Sequence, residues 1–101
     1  MDGGSCYQVL LEGTNVALAT RRWFRRRRRC YGFYTTRFMF AAGDREAVTA
    51  AVSHAAADLR AQGFSPFAGE QFPMHASEVV EIDPEGYHGP GGGFSFYPEG
   101  T

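Results

Sequence analysis

Lysine is missing from this chain: all ten of its basic side chains are arginine. Every fixed positive charge is therefore a guanidinium, planar and charged at any working pH. Cysteine is scarce. Cys6 and Cys30 stand alone, with no C-x-x-C pair and no histidine at zinc-ligand spacing, so neither a disulfide scaffold nor a zinc site is expected. Two reduced thiols in a cytoplasmic protein are the expectation. Long apolar runs are also missing. Glu12 and Asn15 interrupt "VLLEGTNVALA", and the basic run follows that stretch instead of preceding it. That order speaks against a signal peptide, and Arg21–Arg22 make no twin-arginine leader. No segment is long and apolar enough to span a bilayer, so no membrane partner is expected.

Cofactor fingerprints are wanting as well. "GPGGGF" leads into a strand, whereas dinucleotide and phosphate loops lead from a strand into a helix. Pro90 also takes one N–H from any phosphate nest. No cofactor, bound metal or catalytic residue is expected.

The 101 residues suffice for one domain, 1–101, with a single core. Hydrophobic content of 44% and charged content of 21% are those of a globular chain. Aromatics reach 15%, more than a small one-layer core needs, which points to a second buried surface such as an oligomer interface. Charge is split along the chain. Residues 1–43 carry eight arginines against two acids, net +6, and residues 44–101 carry two arginines against nine acids, net −7. Such asymmetry marks either a polyanion site or two halves that neutralise each other.

The pattern along the chain predicts strand, strand, helix, strand, strand. "YQVLLEG" alternates as a strand, with "NVALA" extending it beyond a bend at Gly13. "CYGFYTTRFMFAA" puts Gly32, Tyr34, Thr36, Phe38 and Phe40 on one face and Tyr31, Phe33, Thr35, Arg37 and Met39 on the other. "GDREAVTAAVSHAAADLRAQG" is the helix, with Asp44 as expected N-cap, Gly63 as its stop, and Val48, Val52, Ala55 and Leu59 as the buried stripe. Residues 64–76 read as a connecting loop, "SEVVEID" as the third strand, 84–93 as a Gly/Pro-rich loop, and "FSFY" as the last strand, stopped by Pro98. The fold class is therefore α+β: a four-stranded antiparallel sheet with one helix on one face. The bare second face calls for a homodimer, with Tyr31, Phe33, Phe94 and Phe96 as the expected interface.

Two resemblances add to this. "GFYTTR" (32–37), the "E-A" helix start and "GFSFY" (93–97) resemble a family of small bacterial proteins, across Tyr7 to Glu99. The resemblance implies the same strand–helix–strand frame and carries no catalytic role onto these residues. The arginine run is longer and more basic here than in that pattern. The order of elements, with a helix opening "GDREAVTAAV", is also similar to HicB-like antitoxins, which implies a small regulatory protein.

"TRRWFRRRRRC", residues 20–30, is the boldest feature. Strand alternation would send its arginines to both faces, and no core accepts unpaired guanidinium groups, so the run must form a solvated hairpin tip. Arg21, Arg22, Arg25, Arg26, Arg27, Arg28 and Arg29 suit phosphate, and Trp23 and Phe24 suit stacking on unpaired bases. The competing expectation is neutralisation by Glu78, Glu81, Asp83 and Glu85. His54 and Asp58 read as an exposed pair one helical turn apart. The expected function is a non-catalytic homodimeric binding or regulatory module. RNA or DNA binding through Arg21–Arg29 is the alternative, and a metal-dependent hydrolase at Glu81, Asp83 and His88 the remote one.

Overall fold

The computed structural model describes residues 4–22 and 25–99, with the side chains of 18–28 outside the description. Strands β1 (Ser5–Arg22) and β2 (Arg25–Ala41) form one long antiparallel hairpin, followed by helix α1 (Asp44–Ala61), a two-residue strand β3 (Ser65–Pro66), β4 (Met74–Ile82) and β5 (Ser95–Pro98). The fold is α+β with one helix and an antiparallel sheet of five strands, one more than the four expected. β1 pairs with β2 along one side and with β4 and then β3 along the other, while β5 takes the far edge of β2.

The additional strand has a local cause. β1 is irregular between Gly13 and Val16, where Asn15 adopts φ 69°. This bend turns the Asn15 side chain onto the following loop. Its Nδ2 donates to the carbonyls of Ala68 and Gln71 at 2.6 and 2.9 Å, and its Oδ1 accepts from Ala68 N at 3.0 Å. The loop is drawn against β1, and Val16–Ala17 then pair with Pro66–Ser65. β4 also starts at Met74, earlier than Ser77, because Leu11, Glu12 and Gly13 go on pairing past a bulge at Ser77.

Which face of β2 meets the helix is settled by burial. Val9 and Leu11 of β1 lie under Ala47, Ala51 and Ala55, while Val16, Phe33, Leu59 and Phe72 form the adjoining half of the core. The buried helical stripe is Ala47, Ala51, Ala55 and Leu59. It is turned from the expected one, with Val48 and Val52 half-buried on its flank. Alanines at successive i+4 positions let the helix come close to the sheet, and larger side chains fit only at the margin. Gly43, not Asp44, is the cap residue, with extended backbone and no side-chain cap; Asp44 and Glu46 sit in the first turn, where they favour the positive end of the dipole. The C-terminal end closes as expected: Gly63 takes φ 93°, and Phe64 N bonds back to Leu59 O at 3.0 Å.

This orientation turns the expected interface residues toward the helix side of the sheet. Phe33 is fully buried in the chain's own core, and Tyr31, Phe94 and Phe96 pack against the same cluster. Phe33 and Phe94 meet edge-on at 5.5 Å. The bare face is the opposite one, and on it Tyr34 and Phe40 are 42% and 52% exposed. Part of it is dressed by the Gly/Pro-rich loop. Pro90 O accepts from Phe38 N at 2.9 Å along the edge of β2, and Tyr87 meets the Phe40 ring at 4.6 Å.

Candidate functional site

The arginine run lies on a two-stranded ribbon. Ala17 is the last β1 residue to pair with β3, and Tyr31 the first β2 residue to pair with β5. Beyond them, Leu18 to Arg22 pair only with Arg29 to Arg25 among the described residues. Five residue pairs extend the ribbon by roughly 16 Å at strand rise. It accounts for part of a molecule that measures 57 × 20 × 20 Å. Trp23 and Phe24 lie outside the described residues. Of the run's arginines only Arg29 has a described side chain, and it is exposed.

The acids of β4 lie at the other end. Glu78 stands opposite Leu10 and Glu81 opposite Tyr7, and Asp83 follows in the same direction. Leu10 is eight residues from Leu18, so Glu78 is roughly 26 Å from the ribbon's base, and the later acids are farther still. Neutralisation of the tip by Glu78, Glu81, Asp83 and Glu85 of the same chain is therefore excluded by the register. Asp83 instead caps a turn. Its Oδ1 accepts from Glu85 N at 2.9 Å and starts the short 3-10 turn Pro84–Gly86. Among the described residues no three His, Cys, Asp or Glu side chains gather as metal ligands, and Glu81, Asp83 and His88 do not form a group.

Glu99 is the acid at the ribbon's base. Its carboxylate accepts from the Thr14 hydroxyl, from Asn15 N at 3.2 Å and from the Cys30 thiol at 3.3 Å. The Thr14 hydrogen bond leads in holding its pKa below the usual carboxylate range, against the opposing effect of burial. Burial first, and then the Glu99 carboxylate, push the Cys30 thiol up, and burial does the same at Cys6. Both thiols are thus turned away from the thiolate form that a nucleophile needs. They are also far apart. Cys6 and Ala17, the partner of Cys30, are eleven residues apart on β1, roughly 36 Å, so no intrachain disulfide can join them. An open pocket of about 800 Å³ lies here, lined by Thr14, Asn15, Arg29, Cys30 and Glu99 among others.

A buried ion pair went unseen in the sequence. Arg37 of β2 is fully buried, its Nη1 3.0 Å from Asp58 Oδ2 and 3.0 Å from His54 Nδ1. Its Nε donates to Thr35 Oγ1 at 3.0 Å, and its guanidinium lies 4.8 Å from the Phe94 ring centroid. Thr35 in turn donates to Gly93 O at 2.7 Å. His54 and Asp58 are thus no exposed pair; both are half-buried partners of one arginine that ties β2, α1 and the loop before β5 together. The available signal was an arginine on the Phe33 face of β2 with His54 and Asp58 at i, i+4 on the one helix able to cover it.

No family model, curated protein or solved structure matches this chain. Among the described residues no helix is long and apolar enough to cross a membrane.

Proposed function

We propose that this protein acts by binding, not catalysis, as a cytoplasmic regulatory or binding module whose partner at the arginine ribbon is nucleic acid. The observation that carries the reading is charge placement. Seven arginines of the sequence fall on a ribbon that projects beyond the other strands, while the acids Glu78 and Glu81 sit near the opposite end of the sheet. A two-stranded antiparallel ribbon is one of the two elements that a B-DNA major groove, about 12 Å wide, admits. Guanidinium groups pair bidentately with phosphate oxygens, and Trp23 and Phe24 supply stacking surfaces for unpaired bases. The test is fluorescence anisotropy with a labelled 20-base-pair duplex and the matching single strand. The wild-type chain binds at least one of them, and replacing Arg25–Arg29 by Ser weakens that binding at least tenfold; equal affinities sink the reading.

A homodimer is the second reading, favoured by the aromatic side chains left uncovered on the face opposite the helix. Tyr34, Phe40 and, on β4, Val80 are each more than 40% exposed. Burying such side chains is worth about 25 cal/mol per Å² of apolar surface. Sedimentation of the wild-type chain against Val80→Lys with Phe40→Ser tests it: a dimer that becomes a monomer supports it, and a wild-type monomer at 100 µM removes it.

A further inference from the structure

The side of β1 that carries β4 and β3 presents two unpaired strand edges. β4 pairs only with β1 among the described residues, so its outer edge is open. Beyond Ala17, the last residue to pair with β3, the same side of β1 is open too, along Leu18 to Arg22. Open edges are templates for pairing with another chain. These two carry opposite charge. Arg21 and Arg22 lie on the ribbon edge, backed by Arg25 to Arg29 on β2. Glu78 and Glu81 lie on β4, with Asp83 and Glu85 just past its end, and all four acids are exposed. Among the described residues neither Glu78 nor Glu81 has an ion-pair partner. Within one chain the two surfaces sit toward opposite ends of the sheet and do not meet.

A second copy turned end for end brings them together. A two-fold axis through this side of the sheet sets the ribbon of each chain alongside β4 of the other. Both contacts then form at once and the assembly closes. The spans agree: Glu78 and Glu81 are roughly 10 Å apart along their strand, within the roughly 16 Å of ribbon. The chain supplies both complementary surfaces itself, since its first 43 residues are net basic and the remainder net acidic. We propose that the arginine ribbon of one copy docks against the acidic strand β4 of a second copy, in a two-fold dimer joined along this edge. A single exposed ion pair is worth little, so the dimer depends on several arginines acting together at each of two linked contacts. Salt screens such contacts. Nucleic acid and the second copy meet the same arginines, and they compete for them by mass action. The edge dimer rests neither on the nucleic-acid reading nor on burial of the Tyr34 and Phe40 face, and its test contains no nucleic acid.

The test is sedimentation equilibrium of the full-length chain at about 50 mM and about 500 mM salt. The wild-type chain dimerises at low salt, and high salt weakens the dimer at least tenfold. Replacing Arg25–Arg29 by Ser weakens it at least tenfold, and so does Glu78→Gln with Glu81→Gln. Asp44→Asn with Glu46→Gln makes the same change of charge on exposed positions of α1 and leaves the dimer within twofold of wild type. Mixing is the sharper arm. Each variant alone lacks both contacts, but a mixed pair keeps one, the intact ribbon of the glutamine chain against the intact acids of the serine chain. The mixture therefore associates at least threefold more tightly than either variant alone. A wild-type monomer at low salt, a dimer that survives either variant, or a mixture no tighter than its components overturns the proposal. A dimer indifferent to salt and to both variants, yet lost in Val80→Lys with Phe40→Ser, is the open-face dimer and overturns it as well.

Discussion

The Arg37 guanidinium of β2 meets the Asp58 carboxylate of α1 at 3.0 Å, with the arginine fully buried and the aspartate partly solvated. A charge held this deep is tolerable only while its counter-charge stays in place. Hydrogen bonds from Gln62 and then from Arg37 hold the Asp58 carboxyl below its usual range, against the opposing pull of burial. In acid the unfolded chain takes up this proton more readily than the folded one. The pair therefore stabilises the fold at neutral pH, and that contribution is lost as the pH falls from about 4 through the lower folded-state pKa. Asp58→Asn should lower stability by about 3 kcal/mol at pH 7 and flatten the acid limb of a denaturation series. An unchanged acid limb would show that Asp58 does not carry the dependence.

The alanine stripe of α1 sets how closely the helix approaches the sheet. Ala51 is fully buried against the Val9 and Leu11 cluster. Ala51→Leu adds volume where none is free and should cost about 1–3 kcal/mol by urea denaturation. Ala57→Leu, on the exposed side of the same helix, should change stability by less than about 0.5 kcal/mol. Equal effects of the two would mean that Ala51 does not lie at the helix–sheet contact.

Both thiols should react slowly. Cys6 is fully buried and Cys30 gives its hydrogen to Glu99. Iodoacetamide at pH 7.5 should therefore label the folded chain more slowly than the urea-unfolded chain at either cysteine. Glu99→Gln removes the neighbouring charge and should speed labelling at Cys30 while leaving Cys6 unchanged. Labelling of Cys30 at the unfolded-chain rate would contradict the Glu99 contact.

Much of the frame is legible in the sequence, and the reasons for the remainder are physical. The span of α1 follows from a 3.6-residue pattern closed by Gly63, and the bend of β1 from Gly13 between two alternating stretches. Alternation alone says which residues of β2 share a face, but not which face the helix takes, because both faces are rich in large side chains. Alternation treats Tyr31 and Phe33 like Tyr34 and Phe40, and only the packing of the helix puts Phe33 in the chain's own core. β3 exists because the side chain of Asn15 captures carbonyls more than fifty residues ahead, a long-range contact without a local pattern. Arg37 escaped notice because a charged residue in a strand reads as solvent-facing, and only the opposing helix supplies Asp58 and His54. The separation of the acids from the arginine tip needed the β1–β4 register, which composition does not contain.

As proposed, the arginine ribbon grips a polyanion. It is tested most directly by the slope of log affinity against log salt for a DNA duplex, measured for the wild-type chain and for the Arg25–Arg29→Ser chain. Each phosphate contact contributes a slope of about −0.9 on duplex DNA. The wild-type slope should be steep and should become shallower by roughly three to five units in the serine variant, with little binding left near 150 mM salt. Parallel slopes for the two chains, or tight binding that ignores salt, would contradict it.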